Sequence, residues 1–514
     1  LINSGKIPFK DFYCVITPAV FYLHAFLQRV FFFINPIFLS RLGKGFLTIT
    51  ICLIFLNYLQ ALFNIFGYHK ISLLFIYIFS IFFMVVGPIH ETFLCYTFLA
   101  QSFSIIGVFL ISWPSKNDKF WLNFFGYFFL GFSFCFKQEI GLFSISAGFF
   151  YFLLKLVIKF YTNKKRSLAF DVSLPLVVIA SAPIIMVFYF YFYGISISKL
   201  YYWIFIVPSQ IRLNIDFSSL FFRLSTFGFC FFDVNSVCTV IFLIILFFAF
   251  LCLYNRYQKW FVYFRFLYLS LSFVFSLVLI SGNSCWLYGP FFKDPSSFKD
   301  IFIFYLTNKI FFIFFYWFIF ISCFVFFYMF YLLRKKINIQ LFLHFFVPIS
   351  LLFLIFDSSL LASLAFFRIC KNIIPFICAA SLIWVFFIYN LLTKKNIGFS
   401  FVNNFMLGLI LVFFAARLNG IFSYSLAEPL KSNVVYSKKL CAYLDSRLYS
   451  NVLRIINLVD KSPNSKIFVY MTDSVFYYLL DKKPITYSYL YPRDCYPYFL
   501  IESDIKRLDK VKPE

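Results

Sequence analysis

Residues 120–166 read FWLNFFGYFFLGFSFCFKQEIGLFSISAGFFYFLLKLVIKFYTNKKR. Two apolar runs, 120–136 and 139–160, stand back to back. Between them lies one polar turn, Lys137-Gln138-Glu139. Each run has about the length needed to cross a bilayer core. The second run closes on a basic cluster of Lys155, Lys159, Lys164, Lys165 and Arg166. Short basic loops of this kind stay on the cytoplasmic side of a membrane. The stretch therefore predicts a helical hairpin that spans a membrane twice, with its polar turn outside.

The same pattern repeats along the chain. Length and hydropathy predict about twelve spans. They fall near 43–66, 71–89, 95–113, 120–136, 139–160, 173–195, 233–254, 260–281, 303–331, 340–360, 372–392 and 397–417. Composition agrees. Hydrophobic residues make up 63% of the 514 residues and charged residues only 13%, too few to cover a soluble fold of this size. The formal charge of +25 would suggest nucleic acid in a soluble protein. Here the basic residues sit mainly in short loops, so we read the charge as topology and expect no nucleic-acid partner. The 13 Cys form no CxxC pair and no metal-ligand spacing, and read as small buried hydrophobes.

Further basic clusters, at Arg256, Lys259 and Arg265, at Arg334-Lys335-Lys336 and at Lys394-Lys395, fall on the same side as the first. Lys116 and Lys119 join them. With an even span count, both ends are expected outside. Lys6, Lys10, Arg29, Arg41 and Lys44 depart from that rule, and an anionic ligand on the outer face would explain them. The apolar stretch 18–34 contains Pro18, His24, Gln28 and Arg29 and reads as an interfacial helix rather than a span. From Ser432 the chain turns polar. A helix near 437–460, a strand at 466–470 and helices near 473–481 and 499–511 are expected there. Three parts result: a first outer loop over 1–42, a transmembrane bundle over 43–419 and a small outer α/β domain over 420–514.

Polar groups gather on the outer side at four places. The first is Gly5-Lys6-Ile7-Pro8-Phe9-Lys10-Asp11-Phe12, with Pro18 and Tyr22 downstream. His90-Glu91-Thr92, Lys137-Gln138-Glu139 and Arg368-Ile369-Cys370-Lys371 are the others. Ionisable groups at membrane depth are costly and are usually functional or paired. Each has a plainer reading. Asp11 can cap a turn, Glu91 can start a helix and His90 can be an interfacial polar residue. Lys137, Arg368 and Lys371 can be flanking anchors that snorkel to the interface. Their agreement on one face is the stronger signal.

The order of these motifs resembles the GT-C fold glycosyltransferases, which include the dolichyl-phosphate-mannose-type and aminoarabinose-type transferases. Gly5-x-Ile7-Pro8-Phe9-x-Asp11-Phe12 resembles the G-x-P-Y-x-D-F stretch of that family's first outer loop, and Arg41 stands where an Arg precedes the second span. His90-Glu91-Thr92-Phe93 is similar to N-x-E-x-F at a span start. Gly131 through Lys137-Gln138 is similar to G-x-x-x-x-x-K-Q at an outer span end. Asp481 through Tyr487 is similar to a g-r-k-P-p-t-r-Y stretch in the outer C-terminal domain. The resemblance implies an all-α polytopic GT-C-like bundle with an extramembrane α/β domain. It also implies a first span and a catalytic carboxylate upstream of Leu1, and of that loop Asp11 is what this sequence retains.

Sugar transfer from a polyprenyl phosphate needs a carboxylate to deprotonate the acceptor and cations to hold the departing phosphate. The resemblance therefore implies an inverting transferase. Asp11 and Glu91 are its catalytic candidates, and Lys137, Arg368 and Lys10 its donor-phosphate ligands. Gln138, Glu139 and His90 are expected at the substrate. The expected partners are a lipid-phosphate-linked sugar, a glycan, lipid or protein acceptor, and membrane lipids, in a bacterial inner membrane. No cofactor is required, though a divalent metal is compatible with the chemistry. Two other classes share the polytopic pattern. A lipid-linked polysaccharide polymerase or ligase would centre on outer Arg and His groups. A transporter would show repeats and mid-span charges, whereas Asp357 stands near a span end.

Overall fold

A computed structural model of the chain describes residues 2–11, 17–65, 95–114, 119–161, 168–206, 342–362, 374–395, 434–437 and 442–445, with a few single positions beyond. The described residues are mostly helical. The helices are α1 (Ala19–Val30), α2 (Pro36–Ile65), α3 (Tyr96–Ile111), α4 (Phe120–Ser133), α5 (Gln138–Tyr161), α6 (Leu168–Phe192), the short α7 (Ile197–Tyr201), α8 (Val347–Ala362) and α9 (Ile374–Lys395). A π-helical turn, Phe342–Phe346, leads into α8. Among the described residues, three stretches are long and apolar enough to cross a membrane: Pro36–Leu62 in α2, Gln138–Ile158 in α5 and Pro175–Phe192 in α6.

The expected spans at 43–66, 95–113, 120–136, 139–160, 173–195, 340–360 and 372–392 all fall on described helices. The spans expected at 71–89, 233–254, 260–281, 303–331 and 397–417 lie outside the described residues. Helix α3 has 16 residues and α4 has 14. The run expected to 136 ends at Ser133, because residues 134–136 form a turn that leads to Lys137. Helix α1 has 12 residues, about 18 Å, and is too short to cross a bilayer.

Helix ends follow local chemistry. Asn35 caps α2, its Oδ1 accepting from Ile37 N at 2.9 Å, and Pro36 opens the helix. Helix α6 ends at Gly194, whose φ of 80° only glycine adopts cheaply. Ile195 N donates to Phe190 O and Gly194 N to Tyr191 O, the paired bonds of a Schellman stop. Ile195 and Phe190 are both buried there.

Small residues let the helices approach. Gly107 of α3 and Gly126 of α4 face each other, and a Cβ on either would press on the other's carbonyl. A Cβ on Gly131 would collide with the Ile179 carbonyl of α6. Such contacts dominate packing where water supplies no drive between helices. Between α3 and α5, Ser104 and Ser144 hydroxyls meet at 2.6 Å. One large buried cluster joins α2, α3, α4, α5, α6, α8 and α9. In α9 every residue from Ile374 to Ile383 is buried.

Aromatic contacts give the helix directions. Lys44 of α2 lies over Phe98 at the start of α3, and Tyr58 packs on Phe109 and Trp113 at its end. Phe345 meets Phe386, and Phe356 meets Phe376, so α8 and α9 run antiparallel. Near the second end, Tyr58 OH donates to His344 O at 2.5 Å, and His344 Nδ1 lies 2.9 Å from Ser112 O. The starts of α2, α3, α5 and α9 and the ends of α4, α6 and α8 therefore share the first end.

The C-terminal part shows an antiparallel strand pair, β1 (Val434–Ser437) and β2 (Ala442–Asp445), with Val434 opposite Asp445. This corrects the first part of the helix expected over 437–460, whereas the described positions Ser450, Leu453, Arg454 and Asn457 are helical as expected. Val434-Val435-Tyr436 and Ala442-Tyr443-Leu444 are rich in residues that favour strands. The strand and helix expected at 466–470 and 473–481 lie outside the described residues.

Candidate functional site

The turn between α4 and α5 carries a largely buried ion pair at the first end. It is tight because Gly141 in the first turn of α5 lies against the Phe134 backbone, where a Cβ would have no room. Lys137 Nζ lies 3.8 Å from Glu139 Oε2, and their side chains are only 13% and 18% exposed. The same ammonium donates to Thr97 Oγ1 at 3.5 Å and stands 5.7 Å from the centre of the Tyr96 ring. Gln138 is buried beside it. Gln101, one helical turn beyond Thr97 on the same face of α3, is fully buried. At the start of α3, Cys95 Sγ accepts from Phe98 N, and Lys44 lies 5.5 Å from the Phe98 ring centre.

The first loop covers this turn. Ala19 N, at the start of α1, donates to Cys135 O at 3.1 Å. Phe9 is buried and packs edge-on to Phe190, 5.6 Å between centroids. Its cluster includes Phe134, Cys135, Ala182 and Met186. Helix α6 runs on well past the level of Gly131, and this cluster fills the step between its end and the α4–α5 turn. Phe9 has a φ of 63°, a costly conformation for a large side chain. Tyr22 of α1 adds an edge contact with Tyr189 at 5.4 Å.

Two expected site residues have structural partners. The Asp11 carboxylate accepts from Ile7 N at 2.7 Å, as a turn cap does. Lys10 Nζ donates to Tyr193 O at 3.2 Å, where the carbonyl end of α6 favours a cation. The structure thus brings Lys10, Asp11, Lys137, Gln138 and Glu139 to one end of the bundle. His90, Glu91 and Arg368 lie outside the described residues. Glu91 precedes the start of α3 by five residues, and Arg368 precedes the start of α9 by six, both helices beginning at that same end. Among the described residues, no three His, Cys, Asp or Glu side chains gather as a metal site would require.

The sequence reading did not single out Tyr96, Thr97, Phe9 or Lys44 as partners. Tyr96 and Thr97 do stand at the expected start of a span, just after the His90 motif. Their contact with Lys137, 40 residues away, has no signature in the sequence. Comparison of the chain with protein families, with curated proteins and with solved structures finds no match.

Proposed function

We propose that this chain is an inverting glycosyltransferase of the membrane, which moves a sugar from a polyprenyl-phosphate carrier to a lipid, glycan or protein acceptor on the outer face. We read it as a polytopic protein of about twelve spans, with an outer C-terminal α/β domain, in a bacterial inner membrane. The observation that carries this is the Lys137–Glu139 pair. It is largely buried where apolar helices meet, beneath the first loop. An ammonium there is held by a carboxylate, a hydroxyl and an aromatic face. A lipid phosphate entering from the membrane would compete for the same cation. As the glycosidic bond breaks, charge grows on the phosphate and Lys137 holds it more strongly. Glu139, once Lys137 turns to the phosphate, serves the acceptor. Arg368 would supply a second, planar contact to phosphate. Glu91 is the remaining candidate base, with Asp11 acting mainly through the shape of the loop.

The test is turnover. Purified chain in lipid nanodiscs is given polyprenyl-phosphate hexoses, pentoses and aminosugars with a membrane extract as acceptor, and free polyprenyl phosphate is measured. Release with at least one donor is expected. Lys137→Gln should lower turnover about 100-fold, the scale of losing one charge-stabilising donor. No release with any donor, or equal turnover in the variant, would contradict the proposal.

A further inference from the structure

The first loop carries a surface that the proposed reaction does not use. At the end of α1, Phe26, Phe32 and Phe33 are 61%, 83% and 72% exposed. Val30 and Phe31 extend the patch. On α2, Phe38, Leu42, Phe46, Ile49 and Leu53 form an exposed stripe at helical spacing. That stripe belongs to a helix long and apolar enough to span a membrane, so it faces acyl chains. The aromatic patch continues it across the turn at 31–35. The polar side of α1 is built differently. Arg29 Nε donates to Asn3 Oδ1 at 3.1 Å, and Asn3 Nδ2 donates to Gln28 Oε1 at 3.1 Å. The first residues of the chain are thereby tied to the polar side of α1. Lys6 and Arg29 are exposed. Asp11 is the one carboxylate in residues 2–35, and it is held by the Ile7 amide.

We infer that α1 and the Phe31–Phe33 turn form a membrane-surface anchor for anionic phospholipid: the phenylalanines enter the acyl boundary of the leaflet, and Lys6 and Arg29 meet its headgroups. Two features specify that occupant. The apolar patch is continuous with the lipid-facing stripe of a span, and the charge beside it is basic, as a leaflet of anionic lipid requires. Another protein would have no reason to share both. The anchor also ties the roof over Lys137 to the membrane, because α1 starts on Cys135.

The test uses the full chain in nanodiscs of equimolar phosphatidylcholine and phosphatidylglycerol. A photoreactive p-benzoylphenylalanine replaces Phe32, and in a control it replaces the buried Phe55. Adducts are identified by mass spectrometry. Lipid adducts are expected at position 32 and none at 55, with phosphatidylglycerol about fivefold over phosphatidylcholine at low salt. High salt should bring that ratio towards one, because exposed charges are screened. The double variant Lys6→Gln/Arg29→Gln should do the same at low salt. Absence of lipid adducts at position 32 would overturn the anchor. An equal lipid ratio at low salt would overturn the preference for anionic lipid. The salt series needs no variant and holds even if the double variant folds poorly.

Discussion

Gly141 shows how one missing side chain shapes the candidate site. A methyl group there would fall on the Phe134 backbone, so alanine must push the first turn of α5 away from the end of α4. Overpacking of this kind costs about 1–3 kcal/mol. Gly141→Ala should therefore lower the unfolding temperature in detergent, read by tryptophan fluorescence, and an unchanged temperature would mean that the turn has slack. Lys137 sits four residues earlier and its carbonyl accepts from Gly141 N at 2.9 Å, so the variant should also disturb the Lys137–Glu139 pair. At this scale the sequence reveals residue type but not partner. Lys10, Asp11 and Lys137 all read as charges at a membrane boundary. Lys10 and Asp11 are tied to backbone groups of the loop and of α6, whereas Lys137 is held by side chains of α3 and α5. Of these cations only Lys137 is largely buried and paired with a carboxylate, so a phosphate that takes it over releases Glu139.

Elements were legible where two signals coincide. The hydropathy of α5 and its flanking polar turn agree, and its expected span of 139–160 is close to Gln138–Tyr161. For α2 the signals separate. Hydropathy places its start at 43, after Arg41, whereas Asn35 and Pro36 start the helix seven residues earlier. Hydropathy reports the part suited to lipid, while capping reports where the backbone turns. The tail misleads in the other direction. Apolar spacing over 437–460 looks helical throughout, but up to Asp445 the β-branched and aromatic residues pair as strands, and the described helical positions begin at Ser450. Between elements, the Ser104–Ser144 bond should carry measurable coupling. Each hydroxyl also reaches a carbonyl of its own helix, Ser104 to Ala100 and Ser144 to Ile140. Two hydroxyl protons cannot fill all three bonds, so one serine must donate across the helices while the other donates within its own. A double-mutant cycle with Ser104→Ala and Ser144→Ala should give coupling of about 0.6 kcal/mol. Additive losses would show that the contact stabilises nothing.

At the largest scale, the described helices have two chemically different ends. One gathers Lys44, Lys137, Glu139 and the first loop. The other joins Tyr58, Ser112 and His344. Lys119 precedes α4 at this second end, and Lys155 lies there on α5, its ammonium over Tyr151. From Gln138 to Lys155 the helix rises roughly 25 Å, so the two sets of charges are well apart. Charge placement alone made this division legible, since basic loops and polar motifs alternate along the chain. The clasp at the second end was not legible, because His344 and Ser112 are 232 residues apart and neither stands in a motif. The central claim is that Lys137 and Arg368, distant in sequence, hold one lipid phosphate. The most direct measurement is a cryo-EM structure of the chain in nanodiscs with polyprenyl phosphate bound. The account predicts the phosphate beside Lys137 Nζ, beneath the first loop, with the Arg368 guanidinium on the same group. A phosphate at the Tyr58–His344 end, or an Arg368 that opens onto lipid away from Lys137, would contradict it.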